Sequence, residues 1–112
     1  MIAEKKALDL AWWCKLETQW KNAFAKVFFG HSNEPGDEEL QNLFDTPAMR
    51  FAGPTAPYPN LQFELTNLSG LAALQNLEIL VVIHHQIEEI DELKELRRLK
   101  NLFLYDNKIF VN

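Results

Sequence analysis

From Leu61 onward the apolar residues follow two rhythms in turn. In Leu80-Val-Val82 and Leu102-Phe-Leu104 they alternate as in a short half-buried strand, whereas Ile87, Ile90, Leu93, Leu96 and Leu99 recur at every third place, the spacing of 3₁₀ or short helical turns. The two rhythms repeat together. Leu96-Arg-Arg-Leu99-Lys-Asn-Leu102-Phe-Leu104-Tyr-Asp-Asn107-Lys-Ile109 lies over Leu74-Gln-Asn-Leu77-Glu-Ile-Leu80-Val-Val82-Ile-His-His85-Gln-Ile87 at a shift of 22 (109 − 87), with an aliphatic residue at every matching apolar place. An earlier unit begins at Leu61-Gln-Phe63 and continues through Leu65, Leu68, Leu71 and Leu74. The shift from its strand to the next is only 19 (80 − 61), so this unit is shorter or out of register. The pattern predicts strands near Leu61 to Phe63, Ile79 to Val82 and Leu102 to Leu104, joined by return segments long enough to make the pairing parallel.

Upstream the rhythm is helical. Trp13, Leu16, Trp20, Ala23, Phe24 and Val27 share one face of a helix from Leu10 to Phe29, with Lys15, Gln19, Lys21, Asn22 and Lys26 largely on the others. Thr18 is placed to cap a restart within it, so the segment is either one long helix or a short element followed by a second. Gly30 and Asn33-Glu-Pro-Gly36 end it. Asp37, as N-cap, opens a shorter helix through Leu40, Leu43 and Phe44, which Asp45-Thr-Pro47 stops. Pro54, Pro57 and Pro59 make residues 48–60 an ordered connector rather than a helix or central strand.

The repeated unit resembles the leucine-rich repeat, L-x-x-L-x-L-x-x-N-x-L, over roughly the C-terminal half of the chain, with two good copies and one degenerate one. The resemblance implies an α/β fold: a short right-handed solenoid of parallel strands at 61–112 with an N-terminal α-helical cap at about 1–47, all within one domain, 1–112. It also implies a binding scaffold. The repeat's Asn normally satisfies backbone groups beside it, and Asn107 fits that role. His85 stands at the equivalent place, where a neutral imidazole offers one donor and one acceptor and takes over the contact with a group that titrates.

Composition narrows the function. With 47% hydrophobic and 24% charged residues the chain is ordinary globular stock, and its net charge of −5 supplies no field for non-specific nucleic-acid binding. No stretch approaches the ~20 apolar residues of a membrane span. The basic amphipathic helix with Trp12, Trp13, Phe28 and Phe29 reads as an end cap in preference to a membrane or partner helix. Charged residues break the start of the chain, so no secretory leader is evident and a soluble, cytoplasmic protein is expected; a leader already removed leaves the same sequence. Cys14 has no cysteine to pair with and reads as a small buried residue. No phosphate loop, nucleophile elbow, metal-ligand spacing or C-x-x-C motif is present, so no enzyme activity, cofactor or metal is expected. The charged run from Glu88 to Arg98 reads as a solvated face laced with weak ion pairs. His84 and His85 are adjacent and diverge on a strand, and His31 sits in a polar loop.

The informative surface is the one the strands turn away from the framework leucines. It carries Ile79, Val81, Ile83 and His84 in one unit and Asn101, Phe103, Tyr105 and Asp106 in the next, with Gln62 and Glu64 extending it in the degenerate one. Ile79, Val81, Ile83, Phe103 and Tyr105 make this concave face apolar, the signature of an interface with a protein partner. The alternative is a structural, self-assembling protein. The pattern breaks off at Phe110-Val-Asn112 without a polar capping unit, so either the chain is a fragment of a longer repeat protein or a second copy covers Leu102, Leu104 and Ile109, and a homodimer is expected.

Overall fold

The computed structural model describes residues 10–109. Residues 10–15 are helical, the chain breaks at Leu16 and Glu17, and helix α1 (Thr18–Phe24) runs straight on into a π turn (Ala25–Phe29) that Gly30 closes in the left-handed region, φ 78°. The segment is thus two pieces. Glu17, not Thr18, is the N-cap of α1, and its extended backbone ends the first piece. The break brings Glu17 and Gln19 within reach of residues 66–69. Glu17 accepts from Asn67 Nδ2 at 2.9 Å, Gln19 Oε1 accepts the Thr66 N–H at 2.9 Å, and Trp20 Nε1 donates to Asn67 Oδ1 at 3.0 Å. The Asn67 bond, with help from Gln19, holds the Glu17 carboxyl below its ordinary pKa.

Helix α2 (Asp37–Asp45) starts one position earlier than expected. Gly36 is the N-cap and Asp37 the first helical residue, because Glu39 reaches back to the Gly36 N–H at 3.0 Å. Asp37, Glu38 and Glu39 still fill the first turn and face the positive end of the helix dipole.

The sheet departs from expectation at its first strand. β1 is Ala48–Ala52, β2 Ile79–Ile83 and β3 Asn101–Phe103, in the order β1-β2-β3 and parallel throughout. β1 therefore lies inside the stretch assigned as connector, and Leu61 to Phe63 form no strand. The prolines never conflict with pairing, because Pro54, Pro57 and Pro59 all fall beyond the strand and Pro47 just before it uses only its carbonyl, which accepts from the Glu78 and Ile79 amides. Ala48 pairs with Ile79, a separation of 31 (79 − 48), and Ile79 with Asn101, a separation of 22 (101 − 79). The extra length goes into a loop after β1.

One core runs between the sheet and the chain that returns from strand to strand. It takes Met49 and Phe51 from β1, Leu80 and Val82 from β2, and Leu61, Leu65, Leu68, Leu71, Leu74 and Leu77 from the return, all essentially without solvent contact. Short 3₁₀ turns at Ser69–Leu71 and Asp91–Glu95 carry the three-residue spacing, and their starts repeat the same shift of 22 (91 − 69). The helical segment closes this core at β1. Trp20 and Phe24 pack on Phe51 with ring centroids 5.3 and 6.0 Å apart, and Gly70 lets the Trp20 indole lie against the backbone where any Cβ would overlap it. Cys14, expected inside, is exposed. The run from Glu88 to Arg98 is largely exposed as expected, but Arg98 donates to Asn76 Oδ1 at 2.9 Å, and the ion pairs seen among the described residues lie elsewhere.

Candidate interaction face

The parallel register sets the outward residues in rows across the sheet: Ala48, Ile79 and Asn101 in one, Arg50, Val81 and Phe103 in the next. Ile79 and Phe103 are 42% and 48% exposed and Val81 is half-buried, so an apolar stripe crosses β2 and β3 and meets the Arg50 side chain on β1. Gln62 and Glu64 do not extend this face. Ala48 and Arg50 do so in their place, a consequence of the displaced first strand. Arg50 is held by a bond from Nη2 to the Pro57 carbonyl at 3.0 Å. The guanidinium keeps other N–H donors beyond that bond.

The third row is covered. Ile83, expected on the open face, is 3% exposed and packs with Ala52 and Ala56 beneath the loop of residues 53–60. Asn60 staples that loop to β1, donating to the Arg50 carbonyl at 2.8 Å and accepting the Ala52 N–H at 2.8 Å. Gly53 begins it with its N–H on the Ile83 carbonyl at 3.0 Å, so close to the His84 carbonyl that no side chain fits. Tyr105, which stands to β3 as Ile83 does to β2, has no such lid among the described residues and is 57% exposed.

The rim is polar and ordered. His84 and Asp106 both have left-handed backbone, φ 60° and 58°, and this turns the two side chains toward each other. His84 Nδ1 lies 2.5 Å from Asp106 Oδ2 and 3.1 Å from Thr55 Oγ1, and its ring meets Tyr105 edge-on at 5.7 Å. Of the eight residues read from sequence as a binding face, Ile79, Val81, Asn101, Phe103, Tyr105, His84 and Asp106 thus come together; Ile83 alone is withdrawn. Arg50, the register partner of Val81, is an addition that the repeat pattern did not reveal, and Tyr58 on the covering loop is 88% exposed.

His85 points the other way, into the protein, 2% exposed. The Leu65 N–H donates to Nδ1 at 2.9 Å and Nε2–H donates to the Phe51 carbonyl at 3.0 Å. Asn107 spans the matching gap, with Oδ1 accepting the Ile87 N–H at 3.2 Å and Nδ2 donating to the Val82 carbonyl at 2.9 Å and to the Leu104 carbonyl at 2.8 Å. Burial first of all, and His84 next door, hold the His85 pKa below its ordinary value against the opposing pull of the Phe51 carbonyl and Glu64.

Elsewhere, an open cleft of about 510 Å³ separates Asn22, Lys26 and His31 from Gln62 and Phe63. His31 Nε2 is engaged by Glu39 Oε2 at 2.6 Å. Among the described residues no group of three His, Cys, Asp or Glu side chains is placed to hold a metal, and no helix is long and apolar enough to cross a membrane. Neither a family model, a curated protein nor a solved structure matches this chain.

Proposed function

We propose that this chain is a leucine-rich-repeat interaction module: a short right-handed solenoid, capped by its N-terminal helices, that takes a protein partner on the sheet face bearing Ile79, Val81, Asn101, Phe103 and Tyr105. The single observation carrying this reading is the stripe of exposed aliphatic and aromatic side chains running across β2 and β3, bordered by Arg50 and by the His84 and Asp106 pair. An apolar centre with a polar, hydrogen-bonded rim is the composition of a binding patch. The repeat assignment draws on the register of β2 with β3, which has the same shift as the sequence repeat, and on three side-chain contacts between equivalent places in successive units: Glu64 with Gln86, Asn76 with Arg98 and Glu78 with Lys100. The module binds and does not catalyse. Its exposed, unpaired Cys14 suits the reducing cytoplasm.

A photo-crosslinking residue at position 103, compared with one at position 89 on the acidic return segment, tests the reading in cells that express the protein. A discrete adduct is expected from 103 and not from 89, and Val81→Asp is expected to abolish it without changing the circular dichroism. Equal labelling from both positions, or none from either, refutes it.

A second reading, self-assembly into a homodimer, is favoured by one observation. Leu102 in edge strand β3 is 41% exposed, whereas its register partner Leu80 is buried. Sedimentation of the purified chain separates the two, since only the second expects association without a partner.

A further inference from the structure

His85 and Asn107 do one job with different chemistry. They occupy the same place in successive repeats, and the groups they bridge match in the same way: Ile87 is the equivalent of Leu65, and Val82 is the register partner of Phe51. Each side chain clips the returning chain on one side to a strand carbonyl on the other. An amide does this at any pH. The imidazole does it only when neutral, because an Nδ1 that carries a proton has no lone pair for the Leu65 N–H.

We infer that His85 is a proton-operated latch, which when neutral ties residues 61–65 to β1 across the end of β2, and when protonated releases the Leu65 amide. The site gives the cation little relief. The imidazole is buried, its edge lies against the place where Gly53 lacks a side chain, and His84 beside it disfavours a second charge. Glu64 favours the cation, but Gln86 Nε2 already holds that carboxylate at 2.6 Å; Asp106 is committed to His84. Acid therefore breaks the clip rather than strengthening it. Residues 61–65 include Gln62 and Phe63, one wall of the open cleft, so release of Leu65 loosens that wall against Lys26 and His31.

The direction with pH follows. The folded imidazole resists protonation below its ordinary pKa of 6.5, so between that value and the lower folded one the unfolded or unlatched chain binds more protons. The latch is complete above about pH 6.5 and weakens as pH falls, by at most about tenfold in the latching equilibrium per pH unit for one proton.

Amide hydrogen exchange of the full chain, read as the ratio of protection at Leu65 to protection at Ile87, provides the test, because Asn107 guards Ile87 with a group that does not titrate. From pH 7.5 to 5.0 the ratio is expected to fall in the native protein, by no more than about thirtyfold for one proton taken up below pH 6.5, to stay level in His85→Asn, and to fall as before in His84→Asn. A level ratio in the native protein overturns the latch, as does a falling ratio in His85→Asn. Should His85→Asn fail to fold, imidazole nitrogen shifts of the native protein decide: a proton on Nε2 alone at pH 7.5 is required, and a proton on Nδ1 there refutes it.

Discussion

Leu80 and Leu102 are register partners in adjacent strands, chemically identical and identically placed, yet one is wholly buried and the other 41% exposed. Truncating each to Ala isolates what the neighbouring strand contributes. At Leu80 the lost methyl groups leave a cavity closed on every side by β1, β3 and the returning chain, and about 3 to 4 kcal/mol of stability goes with them. At Leu102 water already reaches nearly half the side chain. Full burial of a leucine is worth ~1.5 to 3 kcal/mol, so with this exposure and room to relax, the truncation costs about 1 kcal/mol or less. Urea unfolding followed by tryptophan fluorescence reads both, since Trp20 sits in the core against Phe24 and Phe51. With a slope of roughly 1 to 3 kcal/mol per molar, Leu80→Ala is expected to lower the midpoint by about 1 M or more, and Leu102→Ala by a few tenths. Protein concentration enters at one site only. If a second copy covers β3, the Leu102→Ala deficit grows with concentration, because dimerisation stabilises only the parent. Equal, concentration-independent losses at both positions refute the picture of β3 as an uncovered edge.

Other substitutions probe the loop and the clips. Gly53→Ala places a methyl group into the His84 carbonyl, so the loop of residues 53–60 must lift away; a loss of at least about 2 kcal/mol is expected, with new amide exchange at Ala56 and Asn60. Gly70→Ala drives a methyl into the Trp20 indole and is expected to red-shift the tryptophan emission while lowering the melting temperature. Asn107→Ala orphans the Ile87 N–H and the Val82 carbonyl at once, for a loss of about 1 to 3 kcal/mol in urea titration; an unchanged midpoint means water replaces the amide freely.

The parts of this fold that the sequence disclosed are those whose partners sit at a constant interval. β2 and β3 were legible because every framework residue from Leu74 to Ile87 has its match in the next unit at one fixed shift, and the same arithmetic located Asn107 and exposed His85 as its odd equivalent. β1 was not legible for two reasons. Its framework residues are Met49 and Phe51 rather than leucines, and the following loop makes its interval to β2 longer than that from β2 to β3, so no periodic comparison aligns it. The leucines from Leu61 to Leu74 then imitated a strand and its return when they are all return. That one shift explains the errors on the face. With β1 misplaced, Gln62 and Glu64 stood in for Ala48 and Arg50, and the prolines read as a connector when they build a lid. Ile83 and Tyr105 show what the lid does: they are the same position in successive strands, and the first lies under Ala56 while the second is bare. The open face therefore narrows toward the His84 and Asp106 end on β2 and widens on β3. If the proposed face takes a partner, one seated on Phe103 and Tyr105 meets the covering loop of residues 53–60 as a wall and not as more floor, whereas Ile83, buried beneath that loop, offers it no contact.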